Sequence, residues 1–223
     1  MQTAAKLWYL EQFDLLQPLS KRERQEMAER MSHIRYKKDD PIMFPFNSTK
    51  TIYMLKEGAV KIGNYTDTGE ENLKYLLKGG SVFGEMALCD GNATDFAVAV
   101  EDVLVCTIRV EELQSVMAKN KGFNAAVYKL IGWRLRKLEN KIAGLIGKDS
   151  KSRIIDFLQN FAQDFGKKEG EQWVVKNLLT NKEIAKLTFT SRQTVNSTLN
   201  KLKKNGNIDF DEKYIRIFDL QNV

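Results

Sequence analysis

The chain has 223 residues, of which 43% are hydrophobic and 29% are charged, and it contains two cysteines and one histidine. This composition is typical of a globular protein of one or two domains and argues against a disordered tail or a fibre. So few cysteines and histidines exclude a zinc site or catalytic centre built from several of them. The sequence has no transmembrane run and no secretory signal pattern at its N-terminus, so we expect a cytoplasmic protein that does not contact the membrane.

The net charge of +6 is unevenly distributed along the chain. Residues 1–119 carry a slight excess of acids, whereas residues 120–148 contain seven Lys or Arg and a single acidic residue. A concentrated basic segment indicates an anionic partner, most simply nucleic acid. The alternative is a solvated helix face that binds nothing.

The N-terminal half of the chain changes its periodicity once. Residues 4–31 predict two helices, the second capped by Ser20 with Glu23 three residues later. Residues 33–109 then predict about eight short strands separated by turn residues, a pattern that favours a sandwich or barrel. Cys89 and Cys106 fall in this region, and we interpret them as small buried hydrophobes, with a redox pair as the alternative.

Residues 121–146 predict one long helix with an apolar stripe. Successive members of the stripe are separated by four, four, three, four and three residues. Two such helices can bury the stripe between them, which predicts a homodimer; the alternative is that it packs on its own β domain. We expect the basic residues of the other face, Arg134 among them, to be exposed. The candidate dimer residues are Val127, Ile131, Leu135, Leu138, Ile142 and Leu145.

The C-terminal third predicts a helix over 151–165, a loop, a short strand, two short helices and a β pair over 207–218. Thr180 with Glu183, and Thr190 with Gln193, are possible capping boxes of the two short helices. Apolar residues of the second short helix face inward and leave a polar cluster outside. This is the pattern of a helix-turn-helix whose second helix enters the major groove, although a packed pair in a protein-interaction domain is the alternative.

Arg can grip guanine through two hydrogen bonds, Gln can do so with adenine, and Lys can meet phosphates. On this basis we expect a set of residues to contact DNA. They are Thr190, Ser191, Arg192, Gln193, Thr194, Asn196, Ser197, Lys201, Lys203 and Lys204.

Three segments together resemble the cyclic-AMP receptor protein/FNR (Crp/Fnr) family of bacterial transcription regulators. They are GSVFGEMAL at 80–88, the long helix 121–146, and EIAKLTFTSRQTVNSTLNKLKKNGNI at 183–208. The resemblance implies an α+β protein and no enzymatic activity. It implies a double-stranded β-helix (jelly-roll) domain over 1–119, a dimerisation helix over 120–148, and a winged helix-turn-helix over 149–223.

The resemblance also implies partners: a second copy of the chain, double-stranded DNA with a two-fold symmetric operator, and RNA polymerase. Arg192 matches the guanine-recognising arginine of the family. Two positions depart from the family pattern. Phe189 stands in the turn where the family often has Gly, so we expect an altered turn. Ser197 stands where a basic residue is usual, which puts the family's usual DNA consensus in doubt.

Gly84 and Glu85 match the family's cyclic-nucleotide cassette, in which the Glu accepts a ribose hydrogen bond. Thr94 or Asp95 stands where the cassette needs an Arg for the cyclic phosphate, and Leu138 aligns with a polar residue that contacts the purine. These five residues are the candidate effector pocket, and they argue against cyclic AMP.

Other cofactors are also disfavoured. The chain has no N-terminal cysteines for an iron–sulfur cluster and no clear axial ligand for haem. The effector is therefore left unassigned. The alternative functions are an adaptor that regulates a protein partner and, much less favoured, a jelly-roll metalloenzyme.

Overall fold

A computed structural model describes residues 13–45, 50–88 and 94–219. Within these residues, helices flank a run of eight strands, and four further strands lie among and after the last helices. A short 3-10 helix at Asp14–Leu16 precedes six α-helices, which are α1 (Lys21–Arg30), α2 (Val110–Lys119), α3 (Lys121–Gly147), α4 (Ser150–Phe165), α5 (Asn181–Thr188) and α6 (Arg192–Lys204). Of the first predicted helix, residues 4–12 lie outside the described residues. The Ser20–Glu23 capping box at the start of α1 is confirmed.

Among the described residues, eight strands fall in the region where eight were predicted, and four more follow. The first eight are β1 (Ser32–Tyr36), β2 (Pro41–Met43), β3 (Thr51–Glu57), β4 (Ala59–Tyr65), β5 (Glu71–Lys78), β6 (Val82–Phe83), β7 (Asp95–Ala99) and β8 (Val103–Arg109). The last four are β9 (Lys167–Glu169), β10 (Gln172–Lys176), β11 (Ile208–Phe210) and β12 (Tyr214–Ile217).

The chain divides into two compact units. The first comprises the residues up to Glu71 together with Tyr75–Leu138, and the second comprises Asn72–Lys74 together with Glu139–Val223. The division falls inside α3, between Leu138 and Glu139. In the part of the chain that the structure describes, no helix has the length and apolar content needed to cross a bilayer.

Two four-stranded sheets form the β domain, in the orders β1-β8-β3-β6 and β2-β7-β4-β5. Apart from β4 and β5, the neighbouring strands in each order are not consecutive in sequence. The pairs β1·β8, β3·β8, β2·β7 and β4·β7 are all antiparallel. The predicted jelly-roll class, with its long helix and C-terminal helix-turn-helix, is therefore confirmed.

The central strands send alternate side chains into two different cores, because successive residues of a strand point to opposite faces. On β3, Tyr53 and Leu55 join the core between the two sheets, whereas Ile52 and Met54 join a second core on the outer face. Cys106 belongs to the outer core and is completely buried. Burial raises the pKa of its thiol to about 11, as expected for a thiol that acts as a hydrophobe. Cys89 lies outside the described residues.

Helices cover the outer core. Phe13, Leu16 and Met27 come from the N-terminal segment, Leu113 from α2, and Phe123 and Val127 from the first turns of α3. Val127 is only 2% exposed, so it packs inside its own β domain. The structure thus corrects the assignment of Val127 to the dimer stripe. The first turns of α3 pack on the β domain, and the exposed part of the apolar stripe begins after them, at Ile131.

The C-terminal unit packs α4, α5 and α6 over a small sheet with the order β11-β12-β10-β9. The sequence predicted the β11–β12 pair but treated the segment that contains β9 as a loop. This strand reads Lys-Lys-Glu and is exposed throughout, so it carries no apolar alternation. It forms because its backbone pairs with the edge of β10 at Gln172–Val174.

Candidate nucleic-acid interface and effector pocket

The first helix of the helix-turn-helix begins as predicted. Thr180 is the N-cap of α5, its side chain accepts a hydrogen bond from the Glu183 N–H, and the Glu183 carboxylate accepts one from the Thr180 N–H at 2.8 Å. Ile184 and Ala185 are buried, which fixes the inward face of α5. The capping box therefore satisfies backbone donors that a short helix would otherwise leave without acceptors.

The turn after α5 contains a bulky residue in the left-handed conformation. Phe189 has φ 52° and ψ 50°, its N–H donates to the Lys186 carbonyl, and the Thr190 N–H donates to the Ala185 carbonyl at 2.9 Å. This is the Schellman pattern, which usually places Gly at the left-handed position. Our expectation that Phe would alter the turn was therefore wrong.

Arg153 of α4 stabilises the same turn through hydrogen bonds to its backbone carbonyls. Its guanidinium donates to the Thr188 carbonyl and to the Phe189 carbonyl, each at 3.0 Å. It also donates to the Lys148 carbonyl at 2.7 Å. A planar fork with several donors can satisfy carbonyls at a helix end together, which explains how the turn tolerates Phe189. Sequence reasoning missed Arg153, because nothing local marks it.

The N-cap of the second helix lies one residue later than predicted. Ser191, rather than Thr190, is the N-cap of α6, and its hydroxyl accepts a hydrogen bond from the Thr194 N–H at 3.0 Å. Thr190 instead lies 3.1 Å from the Thr188 hydroxyl. The proposed pairing of Thr190 with Gln193 is thus corrected, and Gln193 is left free to point outward.

One face of α6 is buried, and the other begins with exposed polar groups. Val195, Leu199 and Leu202 are buried as predicted, together with Thr198. Ser191, Arg192, Gln193 and Ser197 are exposed, whereas Thr194 and Asn196 are half-buried. The Asn196 carboxamide accepts a hydrogen bond from Asn181 of α5 at 2.5 Å, so it joins the two helices as well as bordering the exposed cluster.

The lysines near the end of α6 have different surroundings. Lys203 forms an ion pair with Asp209 at 2.7 Å and donates to the Phe210 carbonyl at 3.2 Å. Its hydrogen bond holds the pKa of the Asp209 carboxyl below its usual range. Lys203 therefore ties α6 to the wing strand β11, a role that the sequence did not suggest. Lys201 and Lys204 are exposed on the same helix.

The tip of the wing is an Asp turn. Asp211 accepts backbone hydrogen bonds from Lys213 at 2.7 Å and Tyr214 at 2.8 Å, and it pairs with Arg216 at 3.2 Å. The hydrogen bonds from these two backbone N–H groups are the main reason why the pKa of the Asp211 carboxyl is lowered. The turn therefore closes β11 and β12 into a defined hairpin beside α6.

In the β domain, Gly84 and Glu85 lie at the end of β6. Gly84 has φ +81°, and a Cβ there would lie 2.8 Å from the Thr51 carbonyl oxygen, so only Gly fits. Glu85 pairs with Arg134 of α3 at 2.7 Å, and Arg134 also donates to the Val82 carbonyl. Our expectation that Arg134 would be exposed was wrong, because its side chain is only 17% exposed.

The charge balance around Glu85 is unfavourable to a second anion. Burial raises the pKa of the Glu85 carboxyl, Arg134 opposes that effect, and Asp95 adds to it. Asp95 is half-buried, whereas Thr94 is exposed. Leu138 is 42% exposed on α3, and the cation that meets Glu85 is Arg134. The structure thus brings Glu85 together with an arginine that the sequence had not assigned to the pocket.

The other predicted dimer residues share one property: each is a large apolar side chain left exposed on α3. Their exposed fractions lie between 36% and 56%. The residues are Ile131, Leu135, Leu138, Ile142 and Leu145.

Together, the β domain, the long helix and the winged helix-turn-helix have the architecture of a DNA-binding transcription regulator. The family model for the cyclic nucleotide-binding domain matches residues 33–120, and that for the Crp-like helix-turn-helix domain matches residues 152–222. The chain belongs to the Crp/Fnr family of transcription regulators, which are not enzymes.

Relatives agree with this membership. The chain is 32% identical over 173 residues to the CRP-like cAMP-activated global transcriptional regulator of Mycobacterium tuberculosis, covering 77% of each chain. It is 28% identical to the global nitrogen regulator of Nostoc sp., covering 82% of this chain and 83% of the relative. Among solved structures, a CooA variant from Carboxydothermus hydrogenoformans matches with TM-score 0.71 at 25% identity, covering 88% of this chain and 87% of that one.

Proposed function

We propose that the protein acts as a homodimer that recognises a two-fold symmetric site in double-stranded DNA. The observation that carries this proposal is the exposed cluster Ser191, Arg192 and Gln193 at the start of α6, above a buried apolar face. A recognition helix contacts base edges through its N-terminal residues while its opposite face packs in the domain. Arg192 and Gln193 have the side chains suited to guanine and adenine, respectively.

The proposed dimer interface is the exposed row on α3. Five large apolar residues, Ile131, Leu135, Leu138, Ile142 and Leu145, recur at three- and four-residue spacing. A second copy of the helix would cover the row and remove its apolar surface from water, which is favourable. Two recognition helices would then meet half-sites whose centres lie about 34–36 Å apart on DNA.

Cyclic AMP is not the proposed effector. The mycobacterial relative is described as cAMP-activated. Here, however, Thr94 and Asp95 stand where a phosphate-binding Arg is needed, and Glu85 already has Arg134 as its partner. A carboxylate such as Asp95 repels a cyclic phosphate. In the proposed mechanism, any effector that binds the β domain shifts the population of the DNA-binding dimer. Contact with RNA polymerase is part of the proposal and rests on family resemblance.

The test is selection of bound sequences from random duplex DNA by the purified full-length protein, with and without cyclic AMP. We expect the same two-fold symmetric motif in both arms. A motif that appears only with cyclic AMP would overturn the effector part of the proposal. Retention on DNA that falls with salt, but yields no motif, would overturn sequence-specific recognition. No retention at all would favour an adaptor that regulates a protein partner.

A further inference from the structure

The β-domain unit contains a cavity that none of the functions proposed above uses. Its volume is about 580 Å³, and it is bounded by the 3-10 helix at Asp14–Leu16, the turn between β5 and β6, and the first half of α3. This volume falls in the usual range for small-molecule sites, about 300–1,000 Å³.

The floor of the cavity is apolar. Leu15 and Val82 are 8% and 5% exposed, and Leu77, Ala126 and Leu130 complete the floor. One wall is the Gly79-Gly80 turn, which places no side chain in the opening. A Cβ at Gly79 would lie 2.8 Å from the Lys56 carbonyl oxygen, and Gly80 has φ +90°, so this wall has to be formed by glycine. The floor thus suits a compact apolar body.

The rim of the cavity is cationic. Lys78, Lys129 and Arg134 line it, and Arg134 is already paired with Glu85, so the excess positive charge comes from the two lysines. The lining carboxylate is that of Asp14, which accepts a hydrogen bond from the Gln17 side chain at 2.8 Å. Lys129 is exposed on α3, so its ammonium can reach a group at the mouth. The excess of positive charge favours an anionic ligand and disfavours a cation.

Two further groups at the rim suit a ligand with both an apolar part and a charge. Trp133 is 52% exposed, and the Lys137 ammonium lies 4.1 Å from the centre of its ring, so an aromatic surface and a cation adjoin at the mouth.

We propose that this cavity is a second small-molecule site, for an amphipathic carboxylate with a compact apolar body. The apolar part would lie on the Leu15–Val82–Leu130 floor, and the carboxylate would face the exposed Lys129 ammonium at the rim. Arg134 also pairs with Glu85, so occupancy here bears on the same side chain that holds α3 to the end of β6. The proposal concerns binding to the β-domain unit and does not depend on DNA recognition.

The probe for the first test is 8-anilinonaphthalene-1-sulfonate, a fluorescent amphipathic anion, titrated into the full-length protein. We expect saturable binding that Lys129→Glu weakens about fivefold, because the reversal replaces a favourable exposed charge contact with a repulsive one. Lys121→Glu is the matched control, since it makes the same charge change on the same helix outside the cavity. Equal weakening by the two substitutions, or no saturable binding by the unmodified protein, would overturn the proposal.

A second variant tests the apolar part. Ala126→Phe places a ring in the floor, whereas Ala125→Phe adds the same ring at an exposed neighbouring position. We expect the first to abolish saturable probe binding and the second to leave it unchanged. Thermal unfolding of both variants shows whether the fold is intact. If Ala126→Phe unfolds the protein, the pair of lysine substitutions still decides the matter; if it folds and binds the probe normally, the cavity is not the site.

Discussion

Arg192 is the exposed side chain in the first turn of α6 with the strongest capacity to select a base. Thr194 and Asn196 are half-buried, and Asn196 is engaged by Asn181, so they have less freedom to reach DNA. Ser197 is exposed but offers only a short hydroxyl. We therefore propose that base selection rests mainly on Arg192 and Gln193.

We expect Arg192→Ala to weaken binding to the selected operator by about 1–3 kcal/mol and to relax the choice at one base pair of each half-site. The reason is the loss of a two-donor contact with guanine. Binding measured against every single-base variant of the operator tests this. Lys201→Ala is the control and should weaken all variants equally. Unchanged selectivity in the arginine variant would show that another residue occupies the base-reading position.

Phe189 illustrates how tertiary contacts override a local preference. A side chain in the left-handed region is strained by about 1–2 kcal/mol, yet Arg153 and the Schellman hydrogen bonds hold Phe189 there. Its ring is 46% exposed, so the conformation is not imposed by burial of the ring.

The strain predicts a difference between two substitutions at this position. Phe189→Gly and Phe189→Ala both remove the ring, but only Gly removes the Cβ that causes the strain. We expect the Gly variant to have a higher free energy of unfolding than the Ala variant by about 1 kcal/mol. Urea denaturation of both full-length variants measures this. Equal stabilities would mean that the turn is not strained at this residue.

At the scale of elements, capping boxes were well predicted because they depend on residues three apart. The boxes at Ser20 and Thr180 formed, whereas the start of α6 moved from Thr190 to Ser191. Both hydroxyls are suitable caps. The Thr190 N–H donates to the Ala185 carbonyl in the Schellman turn that ends α5, so Ser191 is the residue that caps α6. Strand β9 was not predicted, because it is formed by backbone pairing with β10 and its own side chains show no strand pattern.

The cap of α1 predicts a pH dependence. Hydrogen bonds from the Asn120 side chain and from Ser20 lower the pKa of the Glu23 carboxyl from 4.5 to about 2. A carboxyl with a depressed folded-state pKa stabilises the fold above the unfolded pKa, and this contribution is lost as the pH falls through the folded value. We therefore expect the stability difference between the native protein and Glu23→Gln to be largest above pH 4.5 and to vanish towards pH 2.

Chemical denaturation at a series of pH values measures this difference. Asn120→Ala should remove most of the same pH-dependent part, because the Asn120 side chain is the largest cause of the shift. A difference that stays constant down to pH 2 would contradict the role assigned to Glu23.

The surroundings of the long helix α3 change along its length. Its first turns are docked through Phe123 and Val127, and Arg134 is engaged by Glu85, whereas Leu135 stays 56% exposed. We expect Leu135→Asp to yield a monomer with weak DNA binding, because a carboxylate inside an apolar helix pair would lose its water. Sedimentation measures the oligomeric state. Tyr128→Asp is the control, since Tyr128 is also exposed on α3 but lies outside the row; if both variants behave alike, the row is not the interface.

At the scale of the whole molecule, a dimer doubles every contact with DNA. Lys204 is exposed near the end of α6 and can meet a phosphate. Each phosphate contact contributes about 0.9 to the slope of log affinity against log salt concentration. Lys204→Ala should therefore reduce the slope by about 1.8 in a dimer and by about 0.9 in a monomer. Binding measured at several salt concentrations separates the two cases, and an unchanged slope would exclude a phosphate contact by Lys204.

The sequence by itself determined most of the helices and strands and the helix-turn-helix, because these depend on local periodicity, turn residues and caps that act over a few residues. The jelly-roll class and the family followed from the resemblance of three segments to the Crp/Fnr family. Only the tertiary structure decided which side chains meet across distant segments. It paired Arg134 with Glu85, buried Val127 but left Leu135 exposed, and held Phe189 with Arg153. The physical reason is that burial and ion pairing depend on how elements pack, and no local pattern distinguishes Arg134 from the exposed basic residues beside it on α3.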